Sequence, residues 1–280
     1  MSPTDSILEA GAGLRLHIRT TRPDGDARGI VVLTHGLGEH CGRYDHVAGP
    51  LAEDGFGVVA YDLRGHGRST GLRGHVDGFA EYTGDLDRVL SLAREEFGEG
   101  LPVLVYGHSM GGLIVLSYML DYPDSPAVGF AVSNPLIRTA FEPPKLKVAA
   151  GRLLSKVLPR LRLANEVDHQ GLSRDPAEVQ AYIDDPYVHG LVSTRWFTSM
   201  TAAAQRVEQE AEKLARPGLW LLGRKDPIVD SSAGESVAQK TPASTIRSYA
   251  DTVHEPHNDL DRDQVIGDLR AWMSERVASA

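Results

Sequence analysis

The chain has 280 residues, 41% hydrophobic and 24% charged, with a formal net charge of −9, which argues against nucleic acid as a partner. That length suits one large α/β domain or two small ones. A lone cysteine, Cys41, forbids an internal disulfide; the N-terminal segment lacks a secretory signal, and no run of about 18 apolar residues could span a membrane. A cytoplasmic protein is expected.

Leu14 to Arg19 alternates apolar and polar residues, as a half-buried strand does. Gly29 to Thr34 and Gly57 to Asp62 are continuous apolar runs, the pattern of strands covered on both faces. Each leads into a glycine-rich loop, His35 to Tyr44 and Leu63 to Ser69. Helical spacing predicts helices over Tyr44–Asp54 and Glu81–Phe97, the latter stopped by Gly98. Val103 to Tyr106 is a further strand, and Val128 to Ser133 another. The alternation then breaks. Residues 136–192 contain a basic amphipathic segment, Lys145 to Arg162, and no strand-like run, so an inserted helical cap is expected within a single 1–280 domain. A long helical pattern over 193–214, strands at 218–223 and 245–249, and a closing helix over 260–277 complete the chain. Strands alternating with helices imply a mostly parallel sheet with functional loops at the strands' C-terminal ends.

Between the strand at 103–106 and the apolar run after it lies Gly107-His-Ser-Met-Gly111, a Gly-x-Ser-x-Gly turn. Flanked by strand and helix, this pattern holds a serine hydroxyl out of the sheet on a sharp turn, and the glycines leave room for the chain to reverse. Such a serine needs a base and an orienting acid, in the order Ser, Asp or Glu, His. The strand at 218–223 is followed by Asp226; Asp230 lies four residues on, where it would cap the next helix, so position favours Asp226. After the last strand come His254 and His257, with spacing only slightly in favour of His254. An oxyanion hole would use the N–H of Met110, after the serine, and a second from the loop His35-Gly-Leu-Gly38, with Leu37 the natural donor. His35, His40, Cys41 and His46 match no usual metal-ligand spacing, and no nucleotide-binding glycine loop is present, so neither metal nor cofactor is expected.

The segments His35-Gly-Leu-Gly-Glu-His-Cys-Gly-Arg-Tyr44, Asp62-Leu-Arg-Gly-His-Gly-Arg-Ser69 and Gly107-His-Ser-Met-Gly-Gly112 resemble the monoacylglycerol lipase and lysophospholipase-like branch of the α/β-hydrolases. Ser173-Arg-Asp-Pro176 and Asp185-Pro-Tyr-Val-His189 are also similar to segments of that branch. The resemblance implies an α/β-hydrolase fold, a triad of Ser109, Asp226 and His254, and an oxyanion hole at Leu37 and Met110. It further implies a polar floor of Glu39, Arg43 and His257 for a glycerol head group. The expected activity is hydrolysis of a lipid ester, most simply a monoacylglycerol, through an acyl-enzyme on Ser109. A general carboxylesterase or lysophospholipase, and a ligand-sensing receptor of the same fold, are the alternatives. Basic and apolar residues interleaved in the cap suit either transient contact with anionic lipid surfaces or an ordinary lid helix with solvated lysines.

Overall fold

The computed structural model describes every residue except Met1, Pro143, Glu166 and Ala280. Eight strands form one sheet: β1 (Thr4–Glu9), β2 (Arg15–Thr21), β3 (Gly29–Thr34), β4 (Phe56–Tyr61), β5 (Val103–His108), β6 (Ala127–Ser133), β9 (Gly218–Gly223) and β10 (Ser244–Tyr249). Their order is β1-β2-β4-β3-β5-β6-β9-β10, parallel from β4 to β10, with β2 antiparallel to both of its neighbours.

The apolar runs are continuous because the sheet is covered twice. Along β3, Ile30 and Val32 enter one core while Val31 and Leu33 enter the other; β5 divides likewise into Val103 and Val105 against Leu104 and Tyr106. Helices α1 (Asp45–Glu53) and α8 (Arg262–Ala278) close one face. Helices α2 (Ala80–Phe97), α3 (Met110–Asp121) and α7 (Ser231–Lys240) close the other. α3 is buried from Met110 to Met119, which explains why its sequence is apolar all round rather than along one stripe.

Between β6 and β9 the chain carries α4 (Lys145–Val157), β7 (Arg162–Ala164), α5 (Pro176–Asp184), β8 (Leu191–Ser193) and α6 (Thr194–Glu210). The helices agree with the sequence reading, but its expectation of no strand here is corrected. β7 and β8 pair antiparallel, Leu163 opposite Val192, as a ribbon too short for periodicity to register. β1 is the other unexpected strand: its residues are almost all exposed, so it shows no apolar alternation, and it forms by pairing at the sheet edge.

Candidate active site

The turn after β5 sets Ser109 at φ 52° and ψ −116°, a conformation that non-glycine residues seldom adopt. The main chain on either side is tied down. The Ser109 N–H donates to the Ser133 carbonyl at 3.0 Å, and its own carbonyl accepts from Leu113 and Leu136. A side chain at Gly107 would strike the Gly111 carbonyl, and one at Gly111 would strike those of Thr34 and His35. These two glycines allow α3 to start hard against β3 and β5.

His254, on the loop after β10, brings Nε2 to 3.1 Å from Ser109 Oγ and Nδ1 to 2.7 Å from Asp226 Oδ2. The other carboxylate oxygen, Asp226 Oδ1, accepts from the N–H groups of Ile228 and Val229, which fixes the carboxylate after β9. Asp230, the rival acid, accepts from Ser232 N–H and caps α7. Burial acts to lower the pKa of His254, but the charge of Asp226 and the hydrogen bond to it outweigh burial, so the imidazole titrates above its ordinary value. A buried imidazole within reach of a hydroxyl on one side and a carboxylate on the other can take the hydroxyl proton as a nucleophile attacks.

Asn134 holds the base loop from below. Its amide donates to the carbonyls of Val253 and His254, both at 3.0 Å, and accepts from Gly223 N–H. Sequence reasoning passed over it as the end of β6; Asn-Pro after a strand was the available signal.

Leu37 lines the cavity above Ser109, and Met110 opens α3, whose first N–H groups have no acceptor within the helix. Glu39 braces the Leu37 loop: its carboxylate accepts from Gly36 N–H at 2.6 Å, from Tyr44 Oη at 2.8 Å and from Arg43 at 2.6 Å. Arg43 Nη1, which serves Glu39, also donates to Glu255 at 2.8 Å, and Nη2 donates to the same carboxylate at 2.7 Å, a bidentate pair that joins the Leu37 loop to the His254 loop. Burial would raise the pKa of Glu255, but the Arg43 guanidinium prevails and holds the carboxyl at about 2. The sequence reading gave Glu255 no role; its partner lies 212 residues away, beyond any local signal.

A cavity of about 470 Å³ rises from Ser109 toward α4 and α6. Glu39 and Glu255 line it; Arg43 and His257 are not among its lining residues. His257 lies behind the wall, buried, stacked on Tyr44 at 4.8 Å and against His108 at 4.8 Å. Burial, reinforced by His108, drives its pKa well below the ordinary value, so it stands neutral. The segment Asp185–His189 also grips the Leu37 loop, since His189 N–H donates to the Gly38 carbonyl at 2.8 Å and His40 pairs with Asp185. Among the described residues, His17, Cys41 and Asp62 bring ligand-type atoms within 4.8 Å of one another. Asp62 there is already engaged by the N–H groups of Cys41 and Arg68.

Residues 25–261 match the family described as Serine aminopeptidase, S33. The chain belongs to this family. A monoacylglycerol lipase of Mycolicibacterium smegmatis is 33% identical over 93% of both chains. The crystal structure of Paleococcus ferrophilus monoacylglycerol lipase aligns with a TM-score of 0.86 at 32% identity, covering 93% of this chain and 99% of that one. An uncharacterized abhydrolase domain-containing protein of Dictyostelium discoideum is 31% identical over 95% of this chain, which spans only 28% of that longer protein. The family description names a peptidase, whereas the Mycolicibacterium and Paleococcus relatives, matched over more than nine tenths of both chains, are monoacylglycerol lipases by name. The chain is therefore an α/β-hydrolase, monoacylglycerol lipase-like, and a serine ester hydrolase.

For this hydrolase the His254 environment sets a pH dependence. Only the neutral imidazole accepts a proton, and its pKa lies above the ordinary value of ~6.5. Activity should therefore be lost as the pH falls through a midpoint above ~6.5, read as the acid limb of kcat/KM on a neutral ester. A limb centred below the ordinary value of ~6.5 would contradict the geometry.

Proposed function

We propose that the chain hydrolyses monoacylglycerols to fatty acid and glycerol through an acyl-enzyme on Ser109. Ser109 Oγ attacks the ester carbonyl while His254 Nε2 takes its proton and then passes it to the departing alcohol. Asp226 holds the imidazole in orientation and offsets its positive charge. The N–H groups of Leu37 and Met110 stabilise the oxyanion of the tetrahedral intermediate. Water, activated by the same imidazole, then frees the fatty acid.

One observation carries the choice of substrate: two carboxylates, Glu39 and Glu255, stand in the cavity wall in which Ser109 lies, and the rest of the lining is largely apolar. Arg43 lies between them, so this group of two carboxylates and one guanidinium carries a formal charge of −1, while Lys147 lines the cavity from α4. A carboxylate offers about four acceptor positions, and Glu39 uses three, so hydroxyl groups of a neutral polyol can still be received. A phosphate drawn up to Glu39 and Glu255 would meet like charge. The wall thus favours glycerol over the head group of a lysophospholipid. In this reading Glu39 meets the head group, while Arg43 and His257 form a second layer that holds Glu39, Glu255 and His108 in place.

Residues 136–192 serve as the cap within the single 1–280 domain. Support comes from Leu136, Phe141, Val148, Leu163 and Val192, all of which line the cavity that reaches Ser109. The cap also presents an outer surface suited to lipid. Leu146, Leu153, Val157 and Leu158 are exposed, Leu146 to 82%, among Lys145, Arg152, Lys156 and Arg160. Among the described residues no helix is long and apolar enough to cross a membrane. The basic and apolar side chains interleaved on this patch suit transient, peripheral contact with anionic lipid, where a monoacylglycerol substrate would reside.

The head-group claim is tested by comparing a 1-monoacylglycerol with the lysophosphatidylglycerol of the same acyl chain. kcat/KM should favour the neutral ester by at least a factor of ten, about 1.4 kcal/mol; parity would remove the basis for choosing glycerol. Co-sedimentation tests the cap. Binding to anionic vesicles at low salt should exceed binding to neutral ones and weaken as salt is added, whereas equal and negligible binding to both would leave the patch without a lipid role.

A further inference from the structure

α4 presents Pro144, Lys147, Val148 and Gly151 to the cavity, a stripe at helical spacing that begins with its capping residue. Gly151 is out of place on the helix's own terms. Glycine is among the least favoured residues in a helix interior, because it has the most backbone freedom to lose. Two usual reasons for such a glycine are absent. Its backbone is not in the left-handed region, and an added Cβ would stand 3.6 and 3.7 Å from the Phe197 ring, an ordinary contact. Alanine would therefore fit against α6 with no displacement, and the helix would gain from it. What glycine supplies at this position is space, and the space is in the cavity, since both Gly151 and Phe197 line it.

We infer that Gly151 is a specificity-determining residue for acyl-chain length: a Cβ there would already touch the Phe197 ring, so a longer side chain would take up cavity volume that a fatty acyl chain fills. The inference rests on the proposal that this cavity receives the acyl part of an ester. Phe141, Val148, Leu163, Trp196 and Met200 make the neighbouring lining bulky, so a side chain added at 151 would narrow a cavity already bounded by large apolar groups. An alternative role for the glycine is as a hinge that lets α4 bend when the cap moves. The two roles separate cleanly, because alanine abolishes a hinge but barely fills the space, whereas leucine does both.

The test is the ratio of kcat/KM for a long-chain p-nitrophenyl ester to that for the butyrate ester, on the full-length protein. Each methylene kept out of an apolar site costs about fourfold, so Gly151→Leu, displacing about three, should lower the ratio on the order of 50-fold. Gly151→Ala should leave the ratio near that of the unsubstituted protein and raise the melting temperature. Phe197→Ala, which enlarges the same space, should move the ratio the other way and serves if the leucine variant does not fold. An unchanged ratio in both the leucine and Phe197→Ala variants would overturn the inference. So would a Gly151→Ala variant that loses activity on long and short esters alike, since that is how a hinge behaves. Failure of the unsubstituted protein to hydrolyse any of these esters would overturn the proposed function, and the inference with it.

Discussion

The sharp turn at Ser109 is the constraint on which the rest depends. A non-glycine residue held at φ 52° costs on the order of 1–3 kcal/mol, and it persists only where the surroundings over-determine it. Here the surroundings do. The hydrogen bond from Ser109 to Ser133 on the neighbouring strand, the two glycines that let α3 abut β3 and β5, and the burial of nearly all of α3 each hold the turn. The sheet order follows the same need. β5 is central, with β3 and β6 on either side, so the loops after β3, β6 and β9 all converge on the serine.

A second device ties those loops to one another. Arg43 is buried between Glu39 and Glu255, joining the loop that carries Leu37 to the loop that carries His254. A buried ion pair is weak evidence of net stability, because desolvation offsets much of the attraction. Its value here is geometric. The guanidinium fork sets the angle between the Leu37 and His254 loops, and the negative charge of Glu255 and Glu39 near His254 favours its protonated form. The same side chains are the ones proposed to receive the head group, so in that proposal positioning and substrate preference share one set of groups.

Most of the frame was legible in the sequence because its signals are local. Continuous apolar runs such as Gly29–Thr34 mark strands covered on both faces, and the Gly-x-Ser-x-Gly turn marks the serine without reference to anything distant. Position in the sequence favoured Asp226, which lies 2.7 Å from His254, and Asp230 caps α7 as position also suggested. What escaped is what depends on contact. β1 is polar and exposed, β7 and β8 are three residues each, and neither has a pattern of its own. Glu255 sits beside His254 in sequence, yet its importance comes from Arg43 across the site. His257 is named by motif and lies near the base, but only the packing against Tyr44 and His108 places it behind the wall rather than in it.

The central claim is that Ser109, and no other residue, forms the covalent intermediate. A fluorophosphonate reagent followed by mass spectrometry of the digested protein tests this most directly. The account predicts a single adduct, on Ser109, with ester hydrolysis lost in proportion to labelling, and a Ser109→Ala variant that folds, resists labelling and has lost several powers of ten in turnover. An adduct on a different serine, or a Ser109→Ala variant that keeps more than a few per cent of the rate, would contradict it.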